Sequence, residues 1–593
     1  MAPGPWARSR MIERDIHMKL LLVAIHIEAS ARAVPLGPAM LASVVKRAFP
    51  ETLQVGLLDL YLQQSAAACA ELILAAEPDW VGFSLYVWNR GLGREIAQLL
   101  RQRKPTLLLF AGGSEVTADP AGVLGEGGLD LVLPGEGEDL IIEVLGRLLR
   151  GEAVAAIQMA IRPSSVLDLS TLPSPYLDGT LDPAAYPGML WELSRGCPFR
   201  CDFCFESRGT TGIRRVPMDR VLAELRLFEA CGVSQVFVLD PTFNFDKQQA
   251  KVILRLIAAE APAIHFSFEL RSEFIDAELA GLFAAIRCSL QIGLQSADDA
   301  VLRGISRSID RADFAAKVLL LHQADATYGF DLIYGLPGDT LAGFQASLDF
   351  ALGLAPNHLD LFPLSVLPGT RLHDTAPGLG LRHLPEIPYT VLDSPTFSAA
   401  DMGAAGRLAQ ACDRFYNQGK AVPWFALLRE AVELLPSELF LRFAEYSEAH
   451  PDPDTTALQV AFVSAYLTDP TEAALAADII RYFALSGALL EALPEPSEDP
   501  LEWLRTHTQV ATFQHDPGHL LEHLEAGVTE LASLAFLVPA HPCRVLLYLN
   551  GEDVHCRDLG AEEVTALEGI LGGLCPHSEQ EDARRFLDTV LFP

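Results

Sequence analysis

Three cysteines stand in one short stretch, LSRGCPFRCDFCFES, from Leu193 to Ser207: Cys197, Cys201 and Cys204, spaced C-x3-C-x2-C. Thiolates are soft metal ligands. Three within eight residues, with the other seven of ten cysteines scattered, point to metal or redox chemistry rather than to a disulfide scaffold. A structural zinc site calls for four Cys or His ligands, and the next cysteines, Cys231 and Cys288, fall at a helix end and a strand start. A four-iron cluster is also usually held by four thiolates. Three would leave one iron without a protein ligand, free to bind and polarise a small molecule.

A second candidate lies far downstream. HDPGHLLEHLEAG places His515 before a helix start at Pro517, with His519 and His523 four apart on one helical face. That spacing can hold a metal, but the Glu that would act as general base between the two histidines is absent, and a solvated helix face is the expectation.

The elements that must position the cysteines can be read from the hydrophobic periods. From Lys19 to about Arg150, the runs KLLLVAIH, LQVGLLDL, DWVGFSL, TLLLFAGG and LDLVLPGEG alternate with helical patterns, which predicts a doubly wound, Rossmann-like parallel sheet over residues 1–165. In such sheets ligands lie beyond the carboxyl ends of the strands. Those ends are small or glycine-rich here: Ser84, Gly112, Gly113, Gly135 and Glu136. A proline-rich stretch, 166–188, suits an extended linker. Residues 189–376 then show six strand candidates, MLWELSRG, VSQVFVLD, AIHFSFEL, CSLQIGL, ATYGFDLIYG and HLDLFPLSV, separated by helix-length segments. Six β/α units in succession predict a partial (β/α)6 barrel with its chemistry at the strands' C-terminal ends, and the cysteine loop directly follows the first strand. Residues 377–593 read as a mostly helical third domain with one late strand-like run, CRVLLYLN.

The C-x3-C-x2-C loop, with Phe203 just before its third cysteine and a β-strand before it, resembles the radical S-adenosylmethionine (SAM) superfamily. There the iron without a protein ligand chelates the methionine moiety of SAM. The resemblance runs through residues 189 to 375: Asp240 in VLDPTFNFD, Glu269 and Arg271 in FELRSEF, Gln295 and Ser296 in IGLQSADDAVLRGISR, Gly335 in DLIYGLPGDT, and VLPGT follow in the family's order. It implies a 4Fe-4S cluster on Cys197, Cys201 and Cys204, and SAM contacts from Phe203, Asp240, Glu269, Arg271, Gln295, Ser296 and Gly335.

The first domain is similar to that of the cobalamin-binding (class B) members, through VPLGPAMLASVVKR, GFSLYVWN, FAGGSEVTADP and LVLPGEGEDLI. The resemblance implies cobalamin over the sheet's C-terminal edge, touching Ser84, Tyr86, Gly112, Gly113, Gly135 and Glu136, with Trp88 nearby. The motif D-x-H-x-x-G is absent, which leaves His26 as a weak candidate for the lower cobalt ligand. A dinucleotide site is disfavoured, since no G-x-G-x-x-G follows the first strand.

A formal net charge of −33 and a pI near 4.8 argue against a nucleic-acid partner, because such binding draws on clustered Lys and Arg. The same acidity counts against a methylthiotransferase acting on transfer RNA. Glu13, Arg14, Asp15 and Lys19 interrupt any leader-like apolar run, and no segment is expected to approach the roughly 20 apolar residues of a membrane span. The expectation is a cytoplasmic enzyme with no membrane partner, using a 4Fe-4S cluster, SAM and cobalamin. It would methylate an unactivated carbon of a small-molecule or peptide substrate, with electrons from a donor such as flavodoxin or ferredoxin. The alternatives are a radical cyclase, rearrangement or oxidation enzyme without methyl transfer, and a non-enzymatic cobalamin or iron-sulfur redox sensor.

Overall fold

The computed structural model describes residues 18–162, 166–206, 212–492, 499–551, 553–571 and 579–587. Five parallel strands, β1 (Met18–His26), β2 (Leu53–Tyr61), β3 (Trp80–Ser84), β4 (Leu108–Gly112) and β5 (Leu131–Leu133), pair in the order β2-β1-β3-β4-β5. The inner strands are apolar throughout because helices cover both faces: every residue from Leu20 to Ile25 is at most 7% exposed. The strand order reverses between β1 and β3. That reversal opens a crevice beyond their carboxyl ends, bordered by the loops after each.

A second parallel sheet contains β6 (Gly188–Trp191), β9 (Gln235–Val238), β10 (His265–Leu270), β11 (Cys288–Gln295), β12 (Thr327–Tyr334) and β13 (His358–Pro363), in the order β13-β12-β11-β10-β9-β6. Its neighbours are consecutive in sequence and β6 does not pair with β13, so the barrel stays open on one side. A short antiparallel pair, β7 (Ser194–Arg195) with β8 (Arg214–Arg215), brackets the cysteine loop. The helices that follow the strands start on side-chain caps: Asp246, Asp276, Asp298, Asp310 and Thr340 each accept from backbone N–H groups of the first turn. Part of the chain's acidity is therefore structural.

Outer and inner faces of the barrel are told apart by their partners. Phe268 meets Phe283 of the helix Ala277–Ala284, and Phe330 meets Phe314 of the helix Arg311–Gln323. These apolar alternate positions face the helical layer, so the intervening polar positions line the concave side.

The stretch 166–188 is packed rather than free. Leu167, Leu169, Leu172, Tyr176 and Leu181 are at most 8% exposed, and two single-turn 3-10 helices, Leu169–Thr171 and Pro183–Ala185, punctuate it. Its apolar side chains outweigh its prolines.

The third region is helical from Ala399 to Ala492, apart from the turns between helices. The one strand expected there is β17 (Cys543–Asn550), and it is the centre of an antiparallel sheet with β16 (Thr508–Phe513) and β18 (Asp553–Asp558). The edge strand DVHCRD alternates polar with apolar residues, but with only two apolar side chains its signal is too weak to be seen in sequence. The membrane expectation also needs correcting: the helix Pro470–Ala492 contains a stretch, Pro470–Glu491, long and apolar enough by length and composition to cross a bilayer, and 50% of that window is buried inside the protein. His519 is exposed on the helix Pro517–Glu525, whereas His515 is buried, with its Nδ1 2.9 Å from Asp478 Oδ2.

Candidate functional site

The cysteine loop leaves β7 through Gly196, whose φ of 98° suits glycine, and is pinned from two later segments. Asp202 N–H donates to Ile305 O (3.1 Å), the Ser306 hydroxyl donates to Asp202 Oδ1 (2.8 Å), and Leu372 N–H donates to Asp202 O (2.8 Å). Cys201 is buried, and Cys197 and Cys204 are half-buried. Burial raises the Cys197 thiol and pushes Cys204 up to about 11.

Two guanidinium groups face these sulfurs. Arg307 Nη1 lies 3.8 Å from Cys201 Sγ, and its Nη2 donates to Gly293 O at 2.8 Å. The Arg271 guanidinium lies 3.8 Å over the Phe199 ring, inside the loop, and its charge acts on Cys197. Among the described residues no three His, Cys, Asp or Glu side chains converge on a single metal ion. The donor chemistry fits an anionic iron-sulfur group: three thiols on one loop, enclosed in apolar surroundings, with cations against two of them. Arg307 was not singled out in the sequence, and its only signal there is a basic residue following a helix.

The other candidate residues divide into two groups. Asp240 is 6% exposed and faces the chain itself: Leu193 N–H and Ser194 N–H donate to its Oδ1 at 2.9 Å each, and the Ser194 hydroxyl donates to Oδ2. It fixes the entrance to the cysteine loop. Burial nevertheless holds its carboxyl up at about 6. Ser296 is engaged within its own turn, beside Ser347 and accepting from Asp298 N–H. Phe203 packs against the small apolar cluster of Ile305, Leu336 and Leu364. Arg271 pairs with Glu273, and its backbone is clasped by Asn244.

Gln295, Gly335 and Glu269 form the second group, open to the cavity or in special conformations. Gln295 has φ 61° after a bulge in β11, and its buried Oε1 has no hydrogen-bond partner. Gly335 has φ 83°, and a Cβ there would stand 2.8 Å from Met402 Sδ.

Glu269 lies on the concave face. Many atoms surround it, yet its side chain opens to the hollow, and burial with the nearby Asp331 charge pushes it up to about 7. On β11 to β13 the concave face continues with Gln291, which donates to Asp331 Oδ1 (2.6 Å) and Asp360 Oδ2 (3.1 Å), while His358 Nε2 lies 3.0 Å from Asp360 Oδ1. Beside the ends of β12 and β13, a cavity of about 550 Å³ is lined by Tyr334, Pro363, Arg382, Val391, Asp393 and Met402.

The first sheet brings its carboxyl edge to this barrel. Arg32, in the loop after β1, lays its guanidinium 4.6 Å over Phe237 on the concave face. Ser84, Tyr86, Gly112, Gly113 and Gly135 are half-buried along the edge. Gly113 has φ 108°, and a Cβ there would meet Leu85 O at 2.4 Å, so only glycine lets the two strand ends close up. Tyr86 and Trp88 are not core residues. They stack on each other at 4.5 Å and 4°, with Trp88 42% exposed. His26 is drawn sideways, its Nε2 2.8 Å from Asp59 Oδ1.

Glu136 is placed differently from the other edge residues. It pairs with Arg214, whose Nη1 donates at 2.8 Å, and stands 3.4 Å from Arg195; Arg195 also reaches Glu138 at 2.8 Å. Burial alone would raise the Glu136 carboxyl. The Arg214 hydrogen bonds and the charge of Arg195 hold it below the ordinary value. Because Arg195 and Arg214 flank the cysteine loop, these pairs tie that loop to the edge of the first sheet.

An open six-stranded barrel with a three-cysteine loop after its first strand, preceded by a parallel sheet whose carboxyl edge faces it, can hold an iron-sulfur group beside a second ligand site. Residues 191–351 match the Radical SAM superfamily and residues 23–145 match the B12 binding domain. The chain thus carries one segment that matches the Radical SAM superfamily and, ahead of it, one that matches the B12 binding domain.

The cobalamin-dependent radical SAM methyltransferase TokK of Streptomyces tokunonensis is 28% identical over 347 residues, 53% of this chain and 51% of that protein. The chain therefore spans about half the length of that curated relative. The structure of the radical SAM methyltransferase TsrM from Kitasatospora setae, with cobalamin and a 4Fe-4S cluster bound, superposes with a TM-score of 0.53 at 19% identity, covering 64% of this chain and 83% of that one. OxsB, a cobalamin-dependent SAM radical enzyme with aqua-cobalamin and SAM bound, gives a TM-score of 0.55 at 15% identity and covers 82% of each chain.

Proposed function

We propose that this protein is a cobalamin-dependent radical SAM methyltransferase acting on an unactivated carbon of a small-molecule or peptide substrate. The observation that carries the reading is one arrangement: the cysteine loop is bracketed by Arg195 and Arg214, and both end on Glu136 at the carboxyl edge of the first sheet. The loop and that edge therefore border one space. The matched families and the methyltransferases TokK and TsrM support the same reading.

Cys197, Cys201 and Cys204 would hold a 4Fe-4S cluster. Gln295, Glu269 and Gly335 border the space for SAM, and Ser84, Tyr86, Gly112, Gly113 and Gly135, with Trp88, would carry cobalamin. When bound, these groups supply a 5'-deoxyadenosyl radical and a transferable methyl. The chain's own part is to hold the reacting atoms near contact and to keep water out, for which the packed interface between sheet and barrel is suited. Arg271 and Arg307 would offset the negative charge of thiolates and cluster.

A second reading, a radical enzyme without methyl transfer, is favoured by one observation. The likeness to OxsB extends over 82% of the chain, against 64% for TsrM.

The test is anaerobic reconstitution with iron, sulfide and cobalamin, followed by incubation of reduced protein with methyl-deuterated SAM and fractionated metabolites. Formation of 5'-deoxyadenosine with a deuterated product supports methylation, and 5'-deoxyadenosine with an unlabelled altered product supports the second reading. No 5'-deoxyadenosine under any condition sinks both.

A further inference from the structure

The floor of the barrel is built differently from its upper wall. Two residues before Glu269 on β10, about 7 Å nearer the strands' amino ends, register lines up Leu190, Phe237, Ser267 and Ser289 across β6, β9, β10 and β11. Their sequence neighbours Val236, Phe266 and Leu290 are buried on the outer side, so this row turns to the hollow. The row itself is neutral. Ser289 Oγ lies 3.1 Å from His265 Nε2, where burial together with the Arg287 charge disfavours the imidazolium. The Ser267 hydroxyl has no hydrogen-bond partner among the described residues.

A cation stands over this row. Arg32 reaches it from the loop after β1 and lays its guanidinium 4.6 Å over the Phe237 ring, with Ser267 next to Phe237 in register. Arg32 is exposed, and among the described residues no acceptor meets its guanidinium. The arginines that tie the first sheet to the barrel are engaged instead: Arg90 by Glu115, Arg195 by Glu138 and Arg214 by Glu136. With 77 acidic residues against 44 basic ones in the chain, a guanidinium that no acid has taken is an exception. The aromatic ring beneath it steadies its plane and leaves its N–H edge open.

The acids higher on the wall are occupied elsewhere. Asp331 and Asp360 accept from Gln291, while Glu269, which feels the Arg32 charge, borders the space for SAM. A guanidinium fork beside a free hydroxyl is a set of donors, and donors gathered on one patch fit the paired oxygens of a carboxylate or phosphate.

We infer that the barrel floor binds an anionic group of the substrate, a carboxylate or a phosphate, through the Arg32 guanidinium with the Ser267 hydroxyl. The inference rests on the reading of the barrel as the reaction chamber and narrows its substrates to small molecules or peptides that carry such a group. It also sets their direction: the anion is anchored at the floor, and the reacting carbon points to the strands' carboxyl ends, where the cysteine loop stands.

The probes are hexanoate, hexyl phosphate and the neutral hexanamide, measured by equilibrium dialysis at neutral pH against reconstituted full-length protein. Cobalamin and S-adenosylhomocysteine are present, so that the cosubstrate's own space is filled. One charge-assisted pair predicts that the favoured anion binds about tenfold tighter than hexanamide. Hexanoate ahead assigns a carboxylate, and hexyl phosphate ahead assigns a phosphate. Arg32→Gln should bring both anions to within about twofold of hexanamide, and Arg32→Lys, which keeps the charge without the fork, should keep a preference of roughly threefold. Ser267→Ala should weaken the favoured anion about threefold. Thermal midpoints within a few degrees of the parent show that the variants are folded, and should Arg32→Gln not fold, Ser267→Ala carries the test. Equal binding of anions and hexanamide, or an anion preference untouched by these folded variants, overturns the inference. Because the readout is equilibrium binding, anion selectivity without 5'-deoxyadenosine formation would count against the proposed reaction alone, and radical formation without anion selectivity against this inference alone.

Discussion

Asp240→Asn is expected to stabilise the barrel at pH 8 and to do almost nothing at pH 4. The carboxylate is 6% exposed and accepts from Leu193 N–H, Ser194 N–H and the Ser194 hydroxyl. Three donors would ordinarily lower a carboxyl, but burial outweighs them and holds it at about 6. In an unfolded chain an aspartate titrates near ~3.9. The folded state thus binds the proton more tightly than the unfolded one, and stability falls as pH rises between these two values. Above pH ~6, about two pKa units at 1.36 kcal/mol each make the ionised side chain cost about 2–3 kcal/mol.

Asparagine keeps the shape without the charge. Its Oδ1 can accept both backbone N–H groups while Nδ2 donates to Ser194 Oγ. Alanine would instead leave two buried N–H donors unmatched, at about 1–3 kcal/mol each. For a folding unit of roughly 190 residues, with about 2–4 °C per kcal/mol, Asp240→Asn should raise the barrel's calorimetric transition by roughly 4–12 °C at pH 8. At pH 4 the shift should shrink to about 1–2 °C. Asp240→Ala should lower the transition at both pH values. A midpoint for Asp240→Asn below that of the parent at pH 8, or an equal shift at both pH values, would refute the reasoning, because either result means the carboxylate charge is stabilised in the fold.

Cys204→Ser should abolish cluster absorption and retained iron after anaerobic reconstitution while far-ultraviolet dichroism is unchanged; full iron retention would exclude Cys204 as a ligand. Gly113→Ala places a Cβ 2.4 Å from Leu85 O at φ 108°, so we expect about 2–4 kcal/mol of destabilisation, read as early proteolysis of the first domain. Arg214→Met removes the bidentate partner of Glu136, and because Glu136 is held below its ordinary value, the lost contribution is present at neutral pH and fades as pH falls through the carboxylate range. The expected cost is about 1–3 kcal/mol at pH 7 and smaller at pH 3, by denaturation at the two pH values. Trp88→Ala should reduce retention of hydroxocobalamin on gel filtration without lowering the thermal midpoint, since the ring is 42% exposed; unchanged retention would remove Trp88 from the cobalamin surface.

What could be read in the sequence follows the range over which each interaction acts. The cysteine loop is local, three soft ligands in eight residues, and its chemistry needs no knowledge of the fold. The parallel strands were legible because burial on both faces makes each a continuous apolar run. Roles set by distant donors were not. The resemblance implies Asp240 as a SAM contact, and what the sequence does not show is that it also accepts from backbone N–H groups 46 and 47 residues earlier. Glu136 stands in a glycine-rich strand end that suits a cofactor, while its partner Arg214 is 78 residues away. The concave face is only half legible: the resemblance implies Glu269 as a SAM contact, but Asp331, Asp360 and Gln291 sit within apolar strands where a single polar residue gives no sign of which face it occupies.

The ties between the two sheets explain why these distant partners matter. Arg195 precedes the cysteine loop and Arg214 follows it, and both converge on Glu136, with Arg195 also on Glu138. Glu138 lies in the first turn of the helix Gly137–Leu149 and is 4% exposed, so its charge is balanced inside the interface rather than by water. Arg90 makes a parallel connection: its guanidinium meets Glu115 at 2.9 Å and lies 3.3 Å from the Tyr389 hydroxyl, which itself donates to Glu115. Charged side chains held at hydrogen-bond distance in low-dielectric surroundings permit little sliding, because moving either partner exposes an uncompensated charge. The sheet edge, the cysteine loop and the segment around Tyr389 are therefore fixed relative to one another before any ligand arrives. Such preorganisation is what a reaction through a short-lived radical requires, since a hydrogen atom moves only over near-contact distance and any slack in the walls admits water or a wrong partner.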